Sequence, residues 1–430
     1  MKRILFIAYF YPPLGGPGVQ RPIKTIKYLK KYGWEVDVLT VADIQFHSYD
    51  YELLKESQAD NIYKAKSFDV MSIYKKLKPN KNDNKLYFNT PERYKKMVRG
   101  LFPIDDKIGW FPFAYKKALG LLRAKKYDAI VATIGPNTSG YIAYKLHKKT
   151  NIPYFIDYRD HWTLHTYPHY SCRLLFKHAQ RFEKKMLQAA CGVFVVGKLK
   201  KEQMITHFGE NLRDKIEVVY NGFDEDDFLS RRGADCHTQS RSGDFQSPDT
   251  PVRIRYVGNF FGHRTIEPFI KALSEMKAEN SLPESVKFEF IGNYFIETLK
   301  LLKTEELAGF IDIIPQVDHP KAVDYMRTAD LLLLFVPTAD GDDFVPGKVF
   351  EYIRTNVPIL AMIPESGEPA QILRELGHKY ICHMEDVSAI KAYLKDFFRG
   401  ENRFEIKYDS AYSRENQTKL FAEHLDRRLI

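Results

Sequence analysis

The chain opens Met1-Lys2-Arg3-Ile4-Leu5-Phe6-Ile7-Ala8-Tyr9 and continues through Pro12-Pro13-Leu14-Gly15-Gly16-Pro17-Gly18. Residues 3–9 form a nearly unbroken apolar run, as a strand covered on both faces requires. After the glycine- and proline-rich turn, Val19, Ile23, Ile26 and Leu29 recur at helical spacing until Gly33 stops the pattern. A second strand is read at 35–41. Strand, glycine loop, helix and strand make a βαβ unit, the building block of doubly wound α/β sheets. The charged start and short apolar run, ended by Pro12-Pro13 without a small-residue cleavage site, read as this first strand and not as a signal peptide.

Working outward, the alternation returns. Runs at 128–132, 153–157, 192–196 and 216–220 predict four more strands, with helices ending near Lys149 and spanning about 173–190. Residues 229–251 hold almost no large apolar side chains and read as a linker or loop. A second series then begins, with strands at 252–257, 286–291, 311–314, 331–335 and 358–362. Helices start at Thr265 and Gly347 and cover about 294–304 and 370–376. At 430 residues the chain exceeds one ordinary core. The expected architecture is α/β, with two doubly wound domains facing across a cleft: 1–225, a linker or loop at 226–250, and 251–400. Ligands in such sheets bind at the carboxyl ends of the strands.

Composition narrows the function classes. With 44% hydrophobic and 28% charged residues the chain reads as globular, not disordered or collagenous. Cys172, Cys191, Cys236 and Cys382 are scattered without CxxC spacing, which argues against a disulfide scaffold or cysteine zinc site and for a reducing compartment. No window supplies the roughly eighteen apolar residues of a spanning helix. The expected location is therefore cytoplasmic. The charge is uneven: the chain carries +10, yet residues 64–126 contain 17 Lys+Arg against 5 Asp+Glu, a net of +12. This basic stretch lies in a weakly periodic insertion at about 44–126, with residues 44–110 read as short helices and loops. A solvated face, a nucleic-acid site, a polyanionic glycan site and a membrane-docking surface are all consistent with it.

Three stretches offer chemistry. The Gly15-Gly16 turn before the first helix lets backbone approach a ligand and presents helix N-terminal amides to an anion; a plain tight turn fits equally well. Asp157-Tyr158-Arg159-Asp160-His161-Trp162 stands at the carboxyl end of a buried strand, where charged side chains face a ligand or an Arg–Asp pair locks the loop. Pro346-Gly347 announces a helix start that puts Lys348 and Glu351 three apart on one face. Lysine on phosphate and glutamate on ribose hydroxyls is one reading; spacing alone favours an intrahelical ion pair. Asp340-Gly341-Asp342 spells an Asp-x-Asp metal signature, but in a loop leading into a helix of the second domain, so no metal site and no resident cofactor are expected.

Together these stretches resemble glycosyltransferase family 4, retaining enzymes of the GT-B fold built from two Rossmann-like domains. The resemblance rests on the Pro-Pro-x-Gly-Gly loop at 12–16, on Trp110, and on Asp157–Trp162, which is similar to an Asp-x-Arg-Asp-Pro-Trp subgroup with His161 in place of proline. It continues with Arg181-Phe182-Glu183, Val219-Tyr220-Asn221-Gly222-Phe223-Asp224, Tyr256-Val257-Gly258, and Val345–Tyr352 followed by Val357–Ala361. It implies sugar transfer from a nucleotide sugar, bound by the second domain, to a glycan or lipid-linked acceptor at the first, in cell-surface polysaccharide synthesis. The family's Glu-x7-Glu pair falls on Asp343 and Glu351, the first acid shortened to aspartate. Asn259 stands where many members have arginine, leaving Arg264 and Lys348 for the diphosphate. The implied site is Asp160, Arg159 and Lys348 for catalysis, with Gly15, Gly16, Arg264, Lys348, Glu351 and Asp343 holding the donor. The C-terminal segment 405–430 is expected to return to the first domain. A lipid-linked acceptor would bring the 64–126 cations to the inner face of an anionic membrane. Alternatives are a nucleotide-sugar epimerase on the same fold, which needs no acceptor, and a nucleic-acid-binding protein using the basic insertion; no recognised nucleic-acid module supports the latter.

Overall fold

The computed structural model describes residues 1–42, 44, 46, 49–68, 100, 102–164, 170–229, 251–260, 265–338, 341–400 and 405–429. The chain divides into two compact units: Met1–Asn221 with Arg414–Ile430, and Gly222–Ser413.

Unit 1 is a parallel sheet of seven strands, β1 (Lys2–Ile7), β2 (Trp34–Val41), β3 (Asn61–Ala65), β4 (Ala129–Ile134), β5 (Tyr154–Tyr158), β6 (Gly192–Val195) and β7 (Ile216–Val218), in the order β3-β2-β1-β4-β5-β6-β7. Central strands β4, β5 and β6 are buried along their whole length, which is why they read as unbroken apolar runs. The order reverses between β1 and β4, so the loops after these two strands flank the switch point at the sheet's carboxyl edge.

Residues 44–110, expected as helices and loops, also contain strand β3, which extends β2 in parallel from Asp37↔Asn61 to Val41↔Ala65. It is an edge strand, largely exposed, and so lacks the apolar run by which buried strands are recognised. The Phe111–Ala124 helix is the crossover into β4, so the tail of the basic stretch is an ordinary part of the sheet's winding. Lys75, Lys76, Lys95 and Lys96, with the rest of 69–99, lie outside the described residues.

The Arg414–Arg428 helix completes unit 1 by packing along the Pro17–Leu29 helix. Phe421 stacks on Phe194 with ring centroids 3.6 Å apart. Gln417 Oε1 accepts from Tyr220 N at 2.6 Å, and His424 Nε2 is 3.1 Å from the Lys215 carbonyl. Gly192 permits this seat: a Cβ there would stand 2.7 Å from His424 Nε2.

Unit 2 is a parallel sheet of six strands, β8 (Val252–Val257), β9 (Val286–Ile291), β10 (Ile311–Ile314), β11 (Leu331–Phe335), β12 (Ile359–Met362) and β13 (Ile381–Cys382), in the order β10-β9-β8-β11-β12-β13. Its switch point lies between β8 and β11. Among the described residues no helix is long and apolar enough to cross a membrane.

Candidate active site

In unit 1 the switch point is held together by arginines. Arg21, on the first helix, is 3% exposed. Its Nε and Nη2 donate to Asp157 Oδ1 at 2.8 and 2.7 Å, and its Nη1 donates to the carbonyls of Val219 and Tyr220 at 2.9 and 3.1 Å. Thr133 Oγ1 donates to the other Asp157 oxygen at 2.9 Å. The buried carboxylate at the end of β5 is thus consumed in tying the first helix, β4 and the segment after β7 together.

Arg159 donates to backbone carbonyls. Nη1 donates to the Gly18 carbonyl at 2.6 Å, Nη2 to the Gly135 carbonyl at 3.2 Å and Nε to the Ile134 carbonyl at 3.2 Å. The guanidinium therefore stitches the first turn of the Pro17–Leu29 helix to the end of β4 and the residue after it. Gly135 has to be glycine: its φ is +96°, and a Cβ would come 2.7 Å from Arg159 Nη2. A guanidinium has five N–H groups, of which these bonds use three. Gly16 is the N-cap of the Pro17–Leu29 helix and brings no side-chain cap; Pro17 has no N–H, and Val19 N donates to the Gly16 carbonyl at 3.3 Å. Asp160 is exposed immediately after Arg159, and His161 Nε2 is 2.7 Å from Gln203 Oε1.

Behind this edge lies Glu183, fully buried in the Arg173–Ala189 helix. It accepts from the Tyr158 hydroxyl and from the hydroxyl and backbone N–H of Thr163, the latter at 3.1 Å. Tyr158 Oη in turn accepts from Trp162 N at 3.0 Å. The 158–163 loop is thereby fixed to one carboxyl. Burial outweighs the Thr163 bond and pushes this carboxyl up to about 8. A carboxyl held neutral in the fold loses its stabilising effect as pH rises from the ordinary glutamate value of 4.5 through about 8, because the unfolded chain ionises first. Glu183→Gln removes the titration in a side chain of the same shape, its amide nitrogen replacing one of the two oxygens that accept here. Its stability relative to the parent chain is expected to rise by about 3 kcal/mol between about pH 5 and pH 7, measured by urea unfolding at each pH. A constant difference across that range contradicts the assignment.

In unit 2 the Gly347–Thr355 helix begins at Pro346, again without a side-chain cap. Lys348 Nζ donates to the Tyr256 hydroxyl at 2.8 Å and lies 4.0 Å from that ring's centroid. Tyr256 Oη donates onward to the Asn259 carbonyl at 3.2 Å. Lys348 is thus held at the carboxyl end of β8, on the switch point. Gly258 is required beside it: its φ is +140°, and a Cβ would collide with the lysine ammonium. The buried Tyr352 accepts from Val257 N at 3.0 Å and fixes the same helix to the same strand end. One turn beyond Lys348, Glu351 Oε1 is 3.0 Å from His319 Nε2. Asp343 precedes the helix, with Oδ1 only 3.0 Å from where a Gly341 Cβ would stand. Asp342 accepts from Ser366 Oγ at 2.8 Å.

The expected residues thus fall into two sets. Gly15, Gly16, Arg159 and Asp160 gather at the carboxyl edge of the unit 1 sheet; Lys348, Glu351 and Asp343 gather at that of unit 2. Arg264 lies outside the described residues. Sequence reading missed Arg21, Tyr256 and His319 as partners, and quoted Glu183 without a role. Among the described residues no group of three or more His, Cys, Asp or Glu is placed to hold a metal ion.

Known structures share this pair of sheets. HepE from Anabaena, in complex with UDP and glucose, is 13% identical over 99% of this chain and 100% of its own, with a TM-score of 0.58. The lipopolysaccharide outer core galactosyltransferase WaaB is 15% identical over 99% of both chains, with a TM-score of 0.54. UDP-GlcNAc 2-epimerase from Neisseria meningitidis, bound to UDP-GlcNAc, is 15% identical over 99% of this chain and 100% of its own, with a TM-score of 0.55. The fold is GT-B. Residues 23–227 match the family described as Glycosyltransferase Family 4. No curated protein sequence matches the chain.

Proposed function

We propose that this GT-B chain is a retaining glycosyltransferase of family 4 that moves a hexose from a nucleotide sugar to a glycan or lipid-linked glycan acceptor in cell-surface polysaccharide synthesis. The observation that carries the reading is Lys348. A cation fixed by Tyr256 at an uncapped helix N-terminus, on the sheet's switch point, suits a nucleoside diphosphate better than it suits an intrahelical ion pair. Glu351, one turn on, has the acceptor oxygens that ribose hydroxyls need. The family match at 23–227 supports the same reading from the other unit.

In this reading unit 2 takes the donor and unit 1 the acceptor. The bond from the anomeric carbon to the phosphate oxygen breaks, its electron pair leaves with the diphosphate, and the acceptor oxygen bonds to the same face. The acceptor's proton passes to the leaving phosphate. Lys348 and the amides of its helix stabilise the charge that develops on the diphosphate. Retention by this route needs no carboxylate nucleophile, in contrast to retaining hydrolases. No resident cofactor is involved, and binding at an anionic membrane through the 64–126 cations, from the cytoplasmic side, is part of the proposal.

The test is a thermal-shift screen over UDP, GDP, ADP and their sugars, since a ligand of the native state raises its midpoint by mass action. One nucleotide series is expected to raise the midpoint of unit 2, and its sugar form to yield an α-to-α or β-to-β product only when acceptor is present. No shift with any nucleotide defeats the reading. Isomerised or hydrolysed sugar without acceptor, from an enzyme that transfers none, turns it into the epimerase that shares this fold.

A further inference from the structure

We propose that His319 is a positioning residue that holds the Glu351 carboxylate in the orientation in which it receives the ribose hydroxyls of the nucleotide. The proposal rests on the donor-site reading above and assigns a residue to it that no motif marks.

Three elements of unit 2 meet at this imidazole. His319 opens the His319–Arg327 helix, whose N-cap Asp318 accepts from Lys321 N at 3.0 Å. Pro320 follows in the first turn, so both neighbours restrict the backbone that carries the ring. Nε2 is 3.0 Å from Glu351 Oε1, on the Gly347–Thr355 helix. Nδ1 is 3.9 Å from Asp227 Oδ2, on the Glu225–Leu229 helix. Asp227 thus faces one ring nitrogen and Glu351 the other, and with Nε2 as the donor the ring occupies one Glu351 oxygen.

The chemistry of that arrangement is specific. A carboxylate has two oxygens and about four lone-pair positions, so it can accept the imidazole N–H and ribose hydroxyls together. A lone glutamate on a helix surface samples several rotamers, and a ligand must then immobilise it; the imidazole does so in advance. Arg354, the next residue on this face, pairs instead with Glu225 at 2.9 Å, which keeps its guanidinium engaged one turn away from Glu351. His319 itself need not touch the nucleotide.

The experiment measures binding by calorimetry, independently of turnover. UDP, GDP and ADP, and their 2′,3′-dideoxy counterparts, are titrated into the full chain, His319→Ala and His319→Gln. The parent chain is expected to bind one ribonucleotide and to lose about tenfold or more in affinity for its dideoxy form. His319→Ala is expected to bind the ribonucleotide about tenfold more weakly and to distinguish it little from the dideoxy form. His319→Gln, whose amide N–H can reach Oε1, is expected to restore much of the discrimination. A His319→Ala protein that discriminates as well as the parent overturns the proposal and leaves the donor site standing. A parent chain that binds a nucleotide but ignores its ribose hydroxyls removes Glu351 from the ribose and the proposal with it. A parent chain that binds none of the three nucleotides overturns the donor-site reading itself. A His319→Ala chain with an unchanged unfolding midpoint shows that the loss belongs to the site; if the midpoint falls, the Gln variant alone decides.

Discussion

Lys348→Ala is expected to lower kcat for sugar transfer by about 100- to 1,000-fold, the usual effect of removing one preorganised donor from developing negative charge. The midpoint of unfolding should barely move, because the ammonium is only partly buried and its removal leaves Tyr256 still donating to the Asn259 carbonyl. Steady-state kinetics with the cognate nucleotide sugar and a parallel melt check both halves of the statement. Tyr256→Phe serves as the companion: it keeps the cation and removes the hydroxyl that holds it. A loss of about tenfold in kcat is expected there, and in the double variant the Tyr256 change should add almost nothing, since residues acting as one unit are not additive. A Lys348→Ala enzyme with normal kcat would take the diphosphate away from this helix.

The second large effect falls on stability. Asp157→Ala strands the Arg21 guanidinium, whose side chain is 4% exposed, and leaves the Thr133 hydroxyl without its acceptor. Breaking one side of a buried ion pair costs about 3–5 kcal/mol, a large fraction of an ordinary domain's margin of about 5–15 kcal/mol. Urea unfolding followed through unit 1 should show the loss as a lower midpoint. Arg21→Met with Asp157→Leu is expected to recover part of it, because apolar replacement of both charges removes the uncompensated ion. Full recovery is not expected. Arg21 also donates to the Val219 and Tyr220 carbonyls, which methionine cannot satisfy.

What the sequence revealed depends on how far the cause lay from the effect. The central parallel strands were legible because burial on both faces writes itself as local apolar runs, and β8, β9 and β11 were read with their observed limits; the edge strand β10 was read as well because Ile311, Ile313 and Ile314 keep it apolar. Strand β3 was not, since an edge strand answers to its one neighbour and can stay polar. The two-residue strand β13 is too short to write any pattern. Pro346-Gly347 marked the helix that carries Lys348 and Glu351, because a helix start is a local signal. The partners of those residues were invisible: Tyr256 lies 92 residues from Lys348, His319 lies 32 from Glu351, and Arg21 lies 136 from Asp157. An Arg–Asp lock was one of two readings for 157–160. The lock exists, but its arginine comes from the first helix, while Arg159 bonds to carbonyls.

The Arg414–Arg428 helix gives the two units different histories during translation. Unit 1 begins to emerge from the ribosome first, yet it waits with the Phe194 ring uncovered until all of Gly222–Ser413 has been made and has had time to fold. For that interval the nascent chain displays an apolar surface that its own later segment will cover, the kind of surface chaperones attend to. Expressing residues 1–221 alone reproduces the waiting state indefinitely. A stand-alone version of this half calls for a permuted gene, with 414–430 joined ahead of Met1, so that the covering helix is synthesised before the sheet that needs it.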